Sequence, residues 1–182
     1  MTFEKTVTLK DGRTCLLRNG VASDGKAVLD VFNRTHEETD YLLTYSDENC
    51  FTASQEADFL QRKTDSANNV EIIAVVDDVV AGTAGIDALG MRDKIKHRAV
   101  FGIAITKEFW GLGIGKYLME ACIECAREAG YLQLELEVVA ENERAVEMYR
   151  RAGFIEYGRN PKAFRLRTGE YQELIDMRLE LK

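Results

Sequence analysis

Apolar positions along the chain follow two periods. Runs rich in β-branched residues, apolar throughout or at every second position, fall at 6–9, 14–18, 70–76, 79–89, 98–105 and 132–139, with two more in the tail 154–181. Such runs predict strands. Lys10-Asp11-Gly12-Arg13 and Asp77-Asp78 each predict a hairpin turn, and Arg167-Thr168-Gly169-Glu170 divides the tail. Elsewhere apolar residues recur at helical spacing. One helix runs through Ala27, Val28, Val31 and Phe32 with Ser23 or Asp24 as its cap, and a second through Ala57, Phe59 and Leu60 with Thr52 or Ser54 as its cap. A long amphipathic segment follows the strand at 98–105, and a short helix at 142–152 ends on Gly153, where a left-handed residue closes a helix. The pattern predicts an α/β (α+β) fold, a mixed sheet with helices on both faces.

Composition narrows this to one domain. The 182 residues, 46% of them hydrophobic, suffice for a sizeable core, and a single Pro with no Ser- or Gly-rich tract leaves no linker. The chain therefore reads as one domain, 1–182. The N-terminus lacks an apolar signal core and no apolar run approaches a membrane span, so a cytoplasmic protein with no membrane partner is expected. A net charge of −7 disfavours nucleic acid as a partner and mildly suits a cationic or amine substrate. Cys15, Cys50, Cys122 and Cys125 are too scattered for a disulfide framework. Cys122-x-x-Cys125 lies in the apolar stripe of the long helix with no second pair, so it reads as packed core thiols, and no metal site is expected.

Candidate chemistry concentrates at 101–130, FGIAITKEFWGLGIGKYLMEACIECAREAG. Here a strand runs into a Gly-rich bend that opens directly onto a helix. Gly111, Gly113 and Gly115 permit backbone conformations and close approaches denied to other residues. The free N–H groups of the helix's first turn, at the positive end of its dipole, suit a phosphate-bearing ligand. A Walker loop is excluded, because Trp110 stands where its first Gly belongs and Tyr117 where Ser or Thr follows the Lys. A dinucleotide fingerprint fits poorly, since the spacing is Gly111-x-Gly113-x-Gly115 and predicted strands precede it.

The bend resembles motif A of the GNAT superfamily of N-acetyltransferases, Gln/Arg-x-x-Gly-x-Gly/Ala, standing here as Trp110-x-x-Gly113-x-Gly115 with Trp in the first place. A second signature follows in Leu136-Glu137-Val138 and then Asn142-x-x-Ala145-x-x-x-Tyr149-x-x-x-Gly153-Phe154. Together they cover 100–154 in that family's order and separation. The resemblance implies the GNAT fold, a twisted, mixed, mostly antiparallel sheet of about seven strands with helices on both faces. It also implies an enzyme with acetyl-CoA as co-substrate, transferring directly in a ternary complex.

The implied site follows residue by residue. The pantetheine arm would pair like an extra strand with Ile103, Ala104 and Ile105, which requires the strands at 98–105 and 132–139 to splay apart. The pyrophosphate would sit on the backbone N–H groups of Trp110, Gly111, Leu112, Gly113, Ile114, Gly115 and Lys116, with the Lys116 side chain either joining it or standing at the surface. Asn142 would cap the short helix and contact the cofactor. Tyr149 matches the family's general acid, since a phenol of pKa about 10 stays protonated at neutral pH. The base is less determined. The Glu of histone-type members is replaced by Ala99, whereas Glu137 matches in sequence and spacing a base of ribosomal-protein N-terminal acetyltransferases. Glu137 equally fits a solvated strand face, alternating with Leu134, Leu136 and Val138, and His97 and Asp87 are further candidates.

The acceptor is bounded by proton cost. Deprotonating a lysine-type amine of pKa about 10.4 at pH 7 costs about 4.6 kcal/mol, against about 1.4 kcal/mol for an α-amine of pKa near 8. A modest base therefore favours the α-amine of an amino acid or related small molecule. The alternatives are a protein or peptide N-terminus and a non-catalytic acyl-CoA-binding sensor. Arg165 or Arg167 would either clamp a carboxylate or stand at the surface, and His36, Glu37, Glu38, Asp40, Tyr41 and Tyr45 would either set specificity or form a solvated acidic connector. The strand-rich tail offers a surface for a homodimer.

Overall fold

A computed structural model describes residues 1–181. Strands β1 (Glu4–Thr8), β2 (Thr14–Asn19), β3 (Val70–Val76), β4 (Val79–Ala88), β5 (Arg98–Ile105), β6 (Gln133–Val139), β7 (Ile155–Arg165) and β8 (Tyr171–Glu180) form one sheet in the order β1-β2-β3-β4-β5-β6-β8-β7. All neighbours are antiparallel except β5 and β6. The 8-stranded sheet exceeds the implied seven because every β-patterned run finds a ladder, the N-terminal hairpin and both tail strands included. Asp77 (φ 49°) and Asp78 (φ 62°) are both left-handed, as a two-residue hairpin matching strand twist requires.

Helices α1 (Gly25–Glu38) and α2 (Ala53–Asp65) pack on one face, and α3 (Ile114–Glu128) and α4 (Glu143–Arg151) on the other. Successive strand residues feed opposite layers, so Ile72 joins the large core under α3 with Leu118, Leu134 and Met177, while Ile73 joins Val28, Val31 and Leu60. Cys122 and Cys125 are buried in the large core, where burial pushes the Cys125 thiol up to about 12. The start of α2 is a capping box: Thr52 Oγ1 accepts the Gln55 N–H at 3.3 Å and Gln55 Oε1 accepts the Thr52 N–H at 2.8 Å. The start of α1 differs from expectation, since neither Ser23 nor Asp24 caps it. The Asp24 carboxylate instead accepts from Arg18 at 2.6 and 2.9 Å and from the Val21 N–H at 2.9 Å, closing a 3-10 turn that leads into the helix.

The site is positioned by the β5–β6 pair. Its parallel ladder covers only Arg98 with Gln133, Ala99 with Leu134 and Val100 with Glu135. Beyond these rungs β5 stays with β4 and β6 with β8, so the sheet opens into a gap. Among the described residues no helix is long and apolar enough to cross a membrane.

Candidate active site

Backbone groups along a ladder alternate between its two neighbours. The Arg98 carbonyl accepts the Leu89 N–H on the β4 side at 3.0 Å, and the His97 carbonyl accepts the Leu132 N–H on the β6 side at 2.8 Å. By that alternation Phe101, Ile103 and Ile105 turn their backbone groups to the gap. Ala104 does not, since the alternation turns its groups to β4, where its carbonyl oxygen lies 2.6 Å from where a Cβ on Gly82 would stand. Two of the three residues expected to meet pantetheine thus face open space. The Ile105 carbonyl is itself engaged, accepting the indole N–H of Trp110 at 2.7 Å.

The Gly-rich bend follows a 3-10 turn at Lys107–Phe109. Gly111 (φ 88°) and Gly113 (φ 97°) are left-handed, a region costly to residues with a Cβ. Gly115 serves differently, because it is already helical and a Cβ there would stand 3.2 Å from Met148 Sδ and 3.3 Å from Ile105 Cδ1. The Trp110 N–H donates to the Lys107 carbonyl at 3.1 Å, which removes it from the expected cradle. The N–H groups of Gly111, Leu112, Gly113, Ile114, Gly115 and Lys116 have no acceptor among the described residues, and they lie at the positive end of α3. The Leu112 carbonyl accepts the Lys10 N–H at 3.1 Å, fastening the bend to the β1–β2 turn. Lys10, Lys116, Arg144 and Arg151 line the adjoining space. Lys116 reaches Glu120 only at 3.6 Å, and Arg144 lies over the Trp110 ring, 5.9 Å from its centroid. Sequence reasoning missed Lys10 and Arg144, for Lys10 arrives from the far end of the chain and Arg144 is one unmarked basic residue on a polar helix.

One cavity of about 1430 Å³ joins the bend to the opposite face. Ile114, Met148 and Tyr149 line it on the α3 and α4 side, and Thr35, Thr39, Tyr41 and Leu43 on the α1 side, so it passes through the gap. Tyr149 is only 5% exposed, its ring edge-on to Phe101 at 6.1 Å between centroids and tilted against Phe154 at 5.8 Å. No hydrogen bond engages its hydroxyl among the described residues. Burial pushes the phenol above its ordinary pKa of 10.0, which holds it protonated. Asn142 caps α4, its Oδ1 accepting the Ala145 N–H at 3.3 Å.

Glu137 reaches the cavity from β6. Glu135 lines it too, but its carboxylate accepts from both Nε and Nη2 of Arg98, the latter at 2.7 Å. Glu135 and the exposed Glu137, two members of the polar stripe of β6, therefore stand in the cavity wall, while Gln133 does not. The rest of this wall is largely apolar, with Leu42, Leu89, Val100, Phe164 and Leu174. Of the connector residues, Tyr41 lines the cavity, while Glu38 accepts the Lys107 N–H at 2.5 Å and Arg34 Nε at 2.9 Å. His36 stacks on Phe32, 3.8 Å between centroids, with Nδ1 2.7 Å from the Phe32 carbonyl. Glu37, Asp40 and Tyr45 lie outside the lining, and so do His97 and Asp87, the latter held by Lys63 at 2.6 Å. Arg165 is exposed and outside the lining, and Arg167 is paired with Asp47 at 2.7 Å, so the structure brings neither to the cavity.

The acetyltransferase (GNAT) family model matches residues 30–154. An L-amino acid N-acetyltransferase of Escherichia coli (strain K12) is 31% identical over 118 residues, which make up 64% of this chain and 72% of that protein. The crystal structure of a GNAT-family acetyltransferase from Streptococcus pneumoniae matches with a TM-score of 0.87 at 27% identity, covering 91% of this chain and 99% of that one. A phosphinothricin acetyltransferase of Sinorhizobium meliloti, in complex with acetyl-CoA, shares the fold with a TM-score of 0.80 at 18% identity, covering 96% of this chain and 89% of that one. With the family match spanning both the gap and the bend, the chain belongs to the acetyltransferase (GNAT) family and is, at the level of that family, an acetyl-CoA-using N-acetyltransferase.

Proposed function

We propose that the protein moves the acetyl group of acetyl-CoA directly to the α-amine of a small molecule or a peptide N-terminus while both substrates are bound. The continuity of the cavity carries this reading. One space holds the free N–H groups of the bend, the open edge of β5 and Tyr149, and on the other face of the sheet Glu137. Two molecules entering from opposite faces would meet at the gap. In this reading the N–H groups from Gly111 to Lys116 hold the phosphates, with Lys10 and Arg144 adding charge at the same end, and Ile103 and Ile105 align the pantetheine arm. The thioester supplies an activated acyl group. Glu137 takes the proton of the attacking amine, and Tyr149 gives its proton to the departing thiolate as the C–S bond breaks. The α-amine fits the Escherichia coli relative, which is named for L-amino acids.

Tyr149→Phe removes only the hydroxyl. It should lower kcat about 100-fold with the KM for acetyl-CoA within about twofold, read as thiol release. Full activity in that variant would move the acid role elsewhere. Tight binding of acetyl-CoA without turnover on any amine would instead mark an acyl-CoA-binding module.

A further inference from the structure

The cations lining the cavity are confined to one end, where Glu120, Glu141, Glu143 and Glu147 stand among them. Its positively charged side chains, Lys10, Lys116, Arg144 and Arg151, all stand by the Gly-rich bend or on α3 and α4. At the α1 end the charged side chains in the lining are Glu135 and Glu137. Of the guanidinium groups near that end, Arg98 holds Glu135 through two nitrogens and Arg167 holds Asp47, while Arg178, outside the lining, lies over the Tyr157 ring at 5.7 Å and comes within 3.3 Å of Glu180 with its Nε making no hydrogen bond. Glu137 has no such partner among the described residues. Neither has Asp176, which stands directly opposite Glu137 on β8, just outside the lining. Gly158 makes room for this second carboxylate, since a Cβ there would stand 2.6 Å from Asp176 Oδ2. Like charges directly opposite across a ladder repel, and an ammonium beside them removes the conflict. Tyr149, a side chain 5% exposed whose hydroxyl has no hydrogen-bond partner among the described residues, lines the same cavity, which separates this wall from an ordinary acidic surface patch.

Building on the transfer reading above, we infer that the acceptor is an amine on an apolar body with no free carboxylate beside it. A free amino acid would bring its carboxylate to a wall whose lining, among the described residues, holds the unpaired Glu137 and no cation, with Asp176 next to it on β8. An amide or a bare amine brings only its ammonium, and Leu89, Val100, Phe164 and Leu174 suit an apolar remainder.

Matched sets test this: phenylalaninamide, phenylalanine and phenethylamine, then leucinamide, leucine and a short peptide beginning with leucine. Thiol release is measured at pH about 8 and kcat/KM is expressed per unprotonated amine from each acceptor's own pKa, so that differences in protonation drop out. Each carboxylate-free member should exceed its free amino acid in kcat/KM by at least about tenfold, an effect of the size expected when a charge meets an unpaired like charge. The peptide against leucinamide separates a polypeptide source from a small molecule, and either preference supports the inference. Asp176→Asn should shrink the amide-to-acid ratio while leaving the KM for acetyl-CoA unchanged, a readout that a merely misfolded variant would not give. A free amino acid used as well as its amide would overturn the inference and leave the transfer reading standing. Silence on every member, with acetyl-CoA binding intact, would overturn both.

Discussion

Trp110 breaks motif A at its first position, and its side chain closes the bend onto the strand. The indole N–H donates to the Ile105 carbonyl at 2.7 Å, and the ring lies near the cations of Lys107 and Arg144, 6.0 and 5.9 Å from its centroid. One neutral hydrogen bond is worth about 1 kcal/mol net, roughly fivefold in binding. Trp110→Phe keeps a ring for the cations and loses the bond, so the KM for acetyl-CoA should rise about fivefold with kcat within twofold. A loss confined to kcat would show that the indole orients the reacting groups instead. Tyr149 carries a pH prediction. An ordinary phenol loses its proton as pH passes about 10, but burial holds the Tyr149 value above that, so the acid form persists. The kcat profile should stay flat up to pH about 10, and an alkaline fall centred below that would contradict the assignment. Tyr149, Asn142 and Gly113 were legible because fixed spacing within one turn or helix marks them. Arg98 against Glu135, and Glu137 against Asp176, were not, because their juxtaposition depends on strand register, which no local period specifies.

Element boundaries divide along the same line. The capping box at Thr52 is a short-range pattern and forms as read. The cap expected at Ser23 or Asp24 failed because Arg18, on β2, reaches Asp24 from outside the helix. Likewise each strand was legible by its period, yet nothing in β5 or β6 alone announces that their ladder stops after Val100 and Glu135. Two candidate caps for α2 can now be separated. Thr52→Ala removes the acceptor of the Gln55 N–H and should cost about 1 kcal/mol, lowering Tm by about 2–4 °C in a chain of this size. Ser54→Ala falls inside the first helical turn and should shift Tm by less than about 1 °C in the same calorimetric scan. Equal losses would mean that the helix starts later than Ala53.

Across the whole molecule, the sheet's two parts meet only at the closed end of the gap, and the connector between α1 and α2 covers the α1 end of the cavity with Tyr41, Leu42 and Leu43. That cover is tied to the far side of the gap. The Tyr45 hydroxyl accepts the Arg167 N–H at 3.0 Å, the Arg167 guanidinium lies 4.1 Å from the centre of the Tyr45 ring, and Arg167 Nη2 reaches Asp47 at 2.7 Å. Magnitudes rank these contacts. The ion pair joins side chains 57% and 64% exposed, where screening leaves little, so Asp47→Ala alone should change almost nothing. The hydrogen bond and the stacked ring hold the connector, and Tyr45→Phe combined with Arg167→Ala removes both. The acceptor KM should then rise about threefold or more, as an exposed cation–π contact with one neutral hydrogen bond would give, while the KM for acetyl-CoA, bound at the other end of the cavity, stays put. Limited proteolysis supplies a second readout, with faster cleavage expected within 39–51. An unchanged acceptor KM together with unchanged cleavage would show that the connector holds its place through its own packing on α1, and that the tie across the gap has no part in closing the acceptor end.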